Sequence, residues 1–201
     1  MLVSGSREVG KTVFTTSLLE YRDEMIDKPI QRIVWCYAKH QLELYNKLVN
    51  ISQDIEYVQG IPTDIDNMFD KNTVNLLILD DLMDEASNDK RISQLFTRGR
   101  HDNLSVIYLT QNLFHAKQRS ISLNSDYMVV FKNPRDQSQI QNLARQVYPG
   151  NSKFITWAFG DATKDAHSYL LLDMKPSTDD KYRVRARILP SESPQYVYIP
   201  Y

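Results

Sequence analysis

The sequence has a single cysteine, Cys36, among its 201 residues. One cysteine cannot form an internal disulfide, and its place in the apolar run Val34–Tyr37 favours a structural core residue over a nucleophile. There is no secretory signal peptide, and no apolar run approaches the roughly 18 residues of a membrane span. The four histidines are scattered without metal-ligand spacing, so no zinc site is indicated. These absences predict a reduced, intracellular protein with no membrane partner.

No excess of charge of either sign is present, because 24 basic residues face 25 acidic ones and the net charge is −1. That balance removes any global electrostatic argument for binding nucleic acid, which must then rely on local basic patches. A chain of this length with 42% hydrophobic residues can bury one substantial core. We therefore expect a single domain over residues 1–175, with a C-terminal strand and a Pro- and Tyr-rich tail over 176–201 packed on it.

One segment near the start matches the phosphate-binding pattern G-x-x-x-x-G-K-[ST]. It consists of Gly5, Ser6, Arg7, Glu8, Val9, Gly10, Lys11 and Thr12, and Val13 follows directly. Such a loop points backbone N–H groups into a concavity, its lysine reaches terminal phosphates, and its hydroxyl completes the shell of a bound Mg²⁺. The segment predicts binding of a nucleoside triphosphate.

Apolar runs and helical periodicity alternate along the rest of the chain. Strands are predicted at Met1–Val3, Arg32–Tyr37, Ile55–Val58, Leu76–Leu79, Ser105–Leu109, Tyr127–Phe131 and Tyr169–Met174. Helices are predicted at Thr12–Glu20, around Leu42–Val49, briefly after Pro62, at Lys90–Arg98 with Gly99 as its C-terminal cap, around Ile140–Val147, and at Lys153–Phe159. Strands that are apolar throughout are typical of a buried, largely parallel sheet, so this order predicts an α/β fold.

Two carboxylates, Asp80 and Asp81, follow the most apolar of these strands. In an open parallel sheet, ligands bind at the carboxyl ends of the strands. One carboxylate would orient the Mg²⁺ and the other would take a proton from an attacking water. The simpler interpretation is an acidic turn, and the phosphate loop earlier in the chain favours the catalytic one.

Two amides, Gln111 and Asn112, end the next predicted strand. Amides in this position hold a γ-phosphate or an attacking water, or they simply cap a turn. The sequence alone favours neither interpretation.

The C-terminal segment has a different character: Arg183–Leu189 alternates like a strand, with Arg183, Arg185 and Arg187 on one face. These side chains would contact a phosphate backbone or, as we favour, form a solvated strand edge that discourages sheet association. The tyrosines Tyr196, Tyr198 and Tyr201 would dock on a neighbour or cover the core.

Taken together, the phosphate loop, the acidic strand end and the polar strand end resemble the FtsK/HerA-type P-loop ATPases. The resemblance covers nearly the whole chain. It includes the segments Leu79–Met83, Thr97–Arg100, Thr110–His115 and Phe131–Asp136. The sequence is most similar to the DNA-packaging ATPases of eukaryotic DNA viruses and Maverick/Polinton elements, and more remotely to those of poxviruses.

The resemblance implies a three-layer P-loop NTPase of the additional-strand, RecA/FtsK/HerA-like type, in which the strand of Gln111 lies between those of the phosphate loop and Asp80. It implies ATP and Mg²⁺ as ligands, with Thr12 and Asp80 on the metal, Asp81 as the base and Gln111 as the γ-phosphate sensor. It also implies a ring, usually of six subunits, around double-stranded DNA. Arg100 would complete the neighbour's site, with Arg98 and Arg135 as the next candidates. A capsid or portal partner, and a location in the host nucleus or a cytoplasmic virus factory, follow from the same resemblance.

Three departures from the family pattern support an alternative. Asp81 stands where many relatives carry glutamate, Glu8 brings a negative charge into the phosphate loop, and the first strand is short. The alternative is a nucleotide-binding scaffold or relic of an integrated element without turnover. A small-molecule P-loop kinase is a second alternative, although no lid-like insertion is present.

Overall fold

The computed structural model describes residues 1–38, 55–65, 67–82, 89–114 and 119–200, with only the backbone at residues 100 and 101. The helix predicted around Leu42–Val49 lies outside these ranges. Within them, no helix is both long and apolar enough to cross a membrane.

The described part of the chain alternates strands with helices, as predicted. The strands are β1 (Leu2–Ser4), β2 (Arg32–Tyr37), β3 (Ile55–Gln59), β4 (Asn75–Asp80), β5 (Leu104–Thr110), β6 (Tyr127–Phe131), β7 (Tyr169–Asp173), β8 (Val184–Ala186) and β9 (Tyr196–Tyr198). The α-helices are α1 (Lys11–Glu20), α2 (Arg22–Met25), α3 (Lys90–Arg98), α4 (Arg119–Leu123), α5 (Ser138–Val147) and α6 (Ser152–Ala162). Short 3₁₀ helices cover Gly99–Asp102 and Asp180–Tyr182.

The described strands form one nine-stranded sheet in the order β3-β2-β4-β5-β1-β6-β7-β8-β9. From β3 to β6 all neighbours are parallel, and β7, β8 and β9 are added antiparallel. The α/β fold with a mostly parallel central sheet is therefore confirmed. Strand β5 lies between β1 and β4, as the resemblance implied.

Both faces of the sheet are covered, which gives three layers. On β4, Leu77 and Leu79 pack on one face and Leu76 and Ile78 on the other, all nearly fully buried. Helix α1 contributes apolar side chains to the second face, whereas α3, α5 and α6 contribute to the first. Continuous apolar strands follow directly from burial on both sides.

Cys36 belongs to this core, since its side chain is fully buried in β2. Burial, with a smaller contribution from Glu56, raises the pKa of its thiol to about 12. A thiol that stays protonated is not a nucleophile, which agrees with the structural role predicted for Cys36.

One local prediction was wrong, and another was confirmed with a different backbone conformation. The residues after Pro62 form turns within 63–65 and 67–69 and no helix is described there. Gly99 is the C-terminal cap of α3, as predicted, but its backbone is right-handed, with φ −53°, and it begins the 3₁₀ helix Gly99–Asp102, which Asn103 follows with φ 49°. Gly99 is instead needed for close approach, because a Cβ there would lie 2.9 Å from the carbonyl oxygen of Leu104.

The arginine-rich strand is shorter than expected and is not at an edge. Strand β8 pairs with both β7 and β9. Arg185 forms an ion pair with the buried Asp173 at 2.8 Å, and Arg183 bonds to Asp180 at 2.6 Å. Arg187 pairs with Asp165 at 3.4 Å. These arginines therefore have carboxylate partners within the protein. They form neither the solvated strand edge that we favoured nor a row of unpaired cations for a phosphate backbone.

The tyrosines of the C-terminal tail differ in burial. Tyr198 is buried, donates a hydrogen bond to Asp161 at 2.8 Å and packs edge-on against Trp157. Tyr196 stays half exposed beside Arg187. Tyr201 lies outside the described residues.

Candidate active site

The phosphate loop leaves the sheet at Gly5, directly after β1, and enters α1 at Lys11. Two positions have a left-handed backbone, Glu8 with φ 61° and Gly10 with φ 106°. The second suits glycine, whereas the first is uncommon for a side chain of this size. Arg7, Glu8 and Val13 are exposed, so these side chains lie on the outer surface of the loop and helix start.

Gly5 is required by crowding. Its backbone N–H donates to the carbonyl of Thr110 at 3.2 Å. A Cβ at this position would lie 2.6 Å from the Cβ of Phe131 and 2.8 Å from the Cγ2 of Val9. The first glycine of the motif therefore lets β1, β5 and β6 meet at the start of the loop.

The Lys11 ammonium folds over the loop, donating to the carbonyls of Gly5 at 2.9 Å and Ser6 at 2.7 Å. Burial lowers its pKa, the carboxylates of Asp80 and Asp81 oppose that effect, and Arg7 adds to it. Lys11 is thus a partly desolvated cation near both acidic residues.

Asp80 ends β4 and is buried, with 8% of its surface exposed. Burial and the adjacent Asp81 raise its pKa to about 6, while Lys11 and the nearby side chains of Trp35 and Thr12 lower it. The side chain of Thr12, at the start of α1, therefore lies near the carboxylate of Asp80.

This oxygen pair fits Mg²⁺, which takes one or two protein ligands and fills its octahedron with phosphate oxygens and water. Across the described ranges, no three His, Cys, Asp or Glu side chains cluster as a fully protein-made metal site would need. A cation at Thr12 and Asp80 would accordingly share its remaining ligands with a nucleotide.

Asp81 is exposed and takes a left-handed backbone with φ 54°, which turns the chain where β4 ends. The side-chain amide of Gln111 donates to its Oδ1 at 2.9 Å. Gln111 follows the end of β5, whose residue Leu109 is in register with Asp80. The sheet thus brings together Lys11, Thr12, Asp80, Asp81 and Gln111, which are separate in the sequence. Asn112 caps a turn, since its side chain accepts from the N–H of Phe114 at 2.9 Å.

The candidate arginines do not join this group. Arg98 and the backbone of Arg100 precede β5, at the sheet edge opposite the phosphate loop. The seven residues of β5 span about 20 Å, so the backbone at both positions is far from the phosphate loop of the same chain. Arg135 is exposed in the loop after β6, at the same edge as the phosphate loop. The side chain of Arg100 lies outside the described residues.

Sequence reasoning missed two neighbours of the site. His167 lies against Gly10: a Cβ added to Gly10 would be 3.5 Å from the Nδ1 of His167. Gln139 is buried and accepts a hydrogen bond from the backbone N–H of Leu113, two residues after Gln111. Both come from distant segments of the chain, and no local pattern marks them.

A glycine loop between a parallel strand and a helix, facing a buried carboxylate on a nearby strand, defines a P-loop nucleotide-binding fold. A family model described as "Poxvirus A32 protein" matches residues 1–153. The chain belongs to the poxvirus A32 protein family, within the FtsK/HerA-type ATPases. The finer placement beside Maverick/Polinton elements stays a prediction.

Other comparisons add less. No curated protein matches the chain at a significant level. Among solved structures, the chain is similar to Thermomonospora curvata EccC (ATPases 2 and 3) in complex with a signal sequence peptide, with a TM-score of 0.42 and 16% identity. The likeness covers 67% of this chain and 30% of that one.

Proposed function

We propose that this protein is an ATP-hydrolysing motor that moves double-stranded DNA through a ring of its own subunits, in the packaging of a viral or mobile-element genome. The observation that carries the proposal is that Lys11 and Thr12 lie near Asp80, beside the Asp81–Gln111 hydrogen bond. Membership in the poxvirus A32 protein family supports viral DNA packaging as the setting.

In this proposal the loop from Gly5 to Val13 holds the triphosphate of ATP, and Lys11 stabilises charge that develops on the β- and γ-phosphates. Thr12 and Asp80 hold Mg²⁺, which neutralises phosphate charge when it is bound. Asp81 accepts the proton of the attacking water. Gln111 keeps Asp81 oriented and senses the γ-phosphate.

Substitution of the base tests the assignment. We expect Asp81→Asn to lower the rate of phosphate release by about 100-fold or more while nucleotide affinity stays nearly unchanged. We expect Lys11→Ala to weaken both binding and turnover, because it removes a cation that touches the phosphates. Phosphate release and binding of a fluorescent ATP analogue measure the two effects.

Asp23→Asn and Lys28→Ala are matched controls, since both side chains are exposed and remote in sequence from the loop. They should behave like the parent protein. If Asp81→Asn hydrolyses ATP at the parental rate, Asp81 is not the base. Saturable binding without hydrolysis in the parent would instead identify the nucleotide-binding scaffold, and phosphate transfer to a small molecule would identify the kinase.

Duplex DNA should stimulate the hydrolysis of ATP, and the stimulation should fade as salt rises because phosphate contacts release counterions.

Electron microscopy with a non-hydrolysable ATP analogue and duplex DNA tests the ring, for which we propose six subunits. A monodisperse monomer under these conditions would contradict it. A capsid or portal protein is the proposed docking partner of that ring.

We propose Arg100 as the arginine that completes the neighbouring site, with Arg98 and Arg135 as alternatives. The position of Arg98 and Arg100 at the far sheet edge supports action on a neighbour. An arginine of this kind contributes a factor of about 10³ or more to the rate. Mixing Arg100→Ala subunits with Lys11→Ala subunits should restore hydrolysis at mixed interfaces. No recovery would shift the assignment to Arg135, tested in the same way.

A further inference from the structure

Gln139, near the start of α5, uses both ends of its buried side-chain amide. Its Oε1 accepts from the backbone N–H of Leu113 at 2.9 Å, and its Nε2 donates to Oδ2 of Asp136 at 2.8 Å. Only 8% of Gln139 is exposed. A buried amide with both bonds made holds its two partners at a fixed separation, because losing either bond leaves a desolvated polar group.

The two partners belong to different functional segments. Leu113 ends the turn Gln111–Leu113. The first residue of this turn, Gln111, donates its side-chain hydrogen bond to Asp81. Asp136 ends the loop Lys132–Asp136, which follows β6 and carries two exposed cations, Lys132 and Arg135. Gln139 is therefore a direct hydrogen-bonded link between the catalytic strand end and a cationic surface loop.

The carboxylate of Asp136, which accepts from Gln139, also accepts a second hydrogen bond. Ser138 donates to Oδ1 of Asp136 at 2.6 Å, so the two oxygens of this carboxylate bond to different donors. These bonds, from Ser138 and then Gln139, hold the pKa of Asp136 below its usual range. Within the loop, Oδ1 of Asn133 accepts from the N–H of Arg135 at 3.2 Å, a local bond that stabilises the turn.

The Lys132–Asp136 loop borders a cavity. This cavity of about 310 Å³ is bordered by Gly5, the Lys132–Asp136 loop, Gln139 and Gly160 of α6. The cavity also places the loop beside the first glycine of the phosphate loop.

We propose that Gln139 is a positioning residue that couples the Gln111–Leu113 turn to the Lys132–Asp136 loop, so that nucleotide binding at one changes the position of the other. The inference rests on the proposed function, because it takes the site at Gln111 to bind ATP. It assigns the Lys132–Asp136 loop as the element that responds to the nucleotide state of the site.

The test reverses the polarity of one hydrogen bond. Gln139→Glu keeps an acceptor for Leu113 but places two carboxylates together, which breaks the bond to Asp136. In the double variant with Asp136→Asn, the new amide can donate to the new carboxylate and the link is restored. Asp136→Asn alone keeps an oxygen for the amide of Gln139 and is the matched control.

Hydrogen exchange over residues 131–137, with and without a non-hydrolysable ATP analogue and Mg²⁺, is the first measurement. In the parent and in Asp136→Asn, we expect the nucleotide to change this exchange. The change should be lost in Gln139→Glu and return in the double variant. The kcat for ATP should follow the same order, falling by about tenfold or more in Gln139→Glu with nucleotide affinity within about twofold.

Nucleotide-dependent exchange and kcat that persist in Gln139→Glu would overturn the proposal. So would a lower melting temperature with parental kcat per folded molecule, because that result identifies a structural role only. If Gln139→Glu does not fold, Gln139→Met removes both bonds at similar volume and must abolish the exchange response. If the parent binds the analogue without hydrolysing ATP, the motor fails while the exchange measurement still decides the role of Gln139.

Discussion

At the scale of single residues, the environment of Asp80 distinguishes it from Asp81. Both carboxylates follow one strand, but Asp80 is buried against Thr12 and Trp35 while Asp81 is exposed and accepts from Gln111. A buried carboxylate with a raised pKa costs free energy when ionised, and a metal cation offsets that cost. An exposed carboxylate has access to water. The environments therefore suit the metal ligand and the base proposed for these two positions.

The raised pKa of Asp80 predicts a dependence of stability on pH in the nucleotide-free, metal-free protein. Its folded pKa of about 6 exceeds the usual 3.8, so between these values the folded state holds more protons than the unfolded state. The contribution of Asp80 to the free energy of unfolding therefore falls as pH rises from 4 to 6, by up to about 3 kcal/mol. Asp80→Asn should remove this fall and stabilise the protein at pH 7.5.

Urea unfolding at several pH values measures the difference between the parent and Asp80→Asn. Asp23→Asn is the control, because its side chain is 86% exposed. Parallel stability curves for the parent and Asp80→Asn would contradict a raised pKa.

At the scale of elements, the start of the phosphate loop depends on close contact between β1 and β6. The ring of Phe131, the last residue of β6, packs against Phe14 of α1 and Tyr169 of β7 with centroid separations of 6.2 and 5.4 Å. Its Cβ cannot move away from Gly5 without displacing this cluster. The loop geometry is therefore set by core packing and not by the motif alone.

We expect Gly5→Ala to lower stability by about 1–3 kcal/mol, as overpacking does, and to weaken ATP binding at least about tenfold because the loop must shift. Gly160→Ala in α6 is a matched control, since a Cβ there meets no atom within 4 Å. Replacing this helical glycine should stabilise the protein by about 1 kcal/mol. Thermal unfolding and nucleotide titration measure both variants. Parental affinity in Gly5→Ala would show that the loop relaxes without cost.

At the scale of the whole molecule, the C-terminal segment extends the same sheet as the phosphate loop. Strand β8 pairs with β7, whose residues Leu170 and Leu172 are fully buried. Arg185 of β8 forms an ion pair with the buried Asp173 of β7. These contacts support the proposal that residues 176–201 pack on the domain formed by residues 1–175.

Arg185→Ala tests this proposal, because it leaves the carboxylate of Asp173 buried without its cation. We expect a loss of about 3 kcal/mol in the free energy of unfolding, within a single transition for the whole chain. Arg187→Ala, whose partner Asp165 is exposed, should cost less than about 1 kcal/mol. Two separate transitions, or equal costs for the two variants, would contradict a tail integrated with the domain.

The sequence predicted the fold class well, because burial on both faces produces apolar strands that periodicity alone can find. It located β2, β4, β5 and β6 to within one or two residues. It was less successful where conformation depends on distant contacts. Gly99 is glycine because of the carbonyl of Leu104, and the length of β8 depends on pairing with β7 and β9.

By itself, the sequence determined which residues are the candidates for the chemistry. A phosphate loop is specified by eight consecutive residues, and two aspartates after an aliphatic run are visible without a structure. The order of strands in the sheet came from the resemblance and not from any pattern in this chain. Only the tertiary structure decided which side chains meet, including Thr12 with Asp80, Gln111 with Asp81 and Gln139 with Leu113. The physical reason is that local periodicity records whether a residue is buried, whereas its neighbours and its pKa depend on segments far away along the chain.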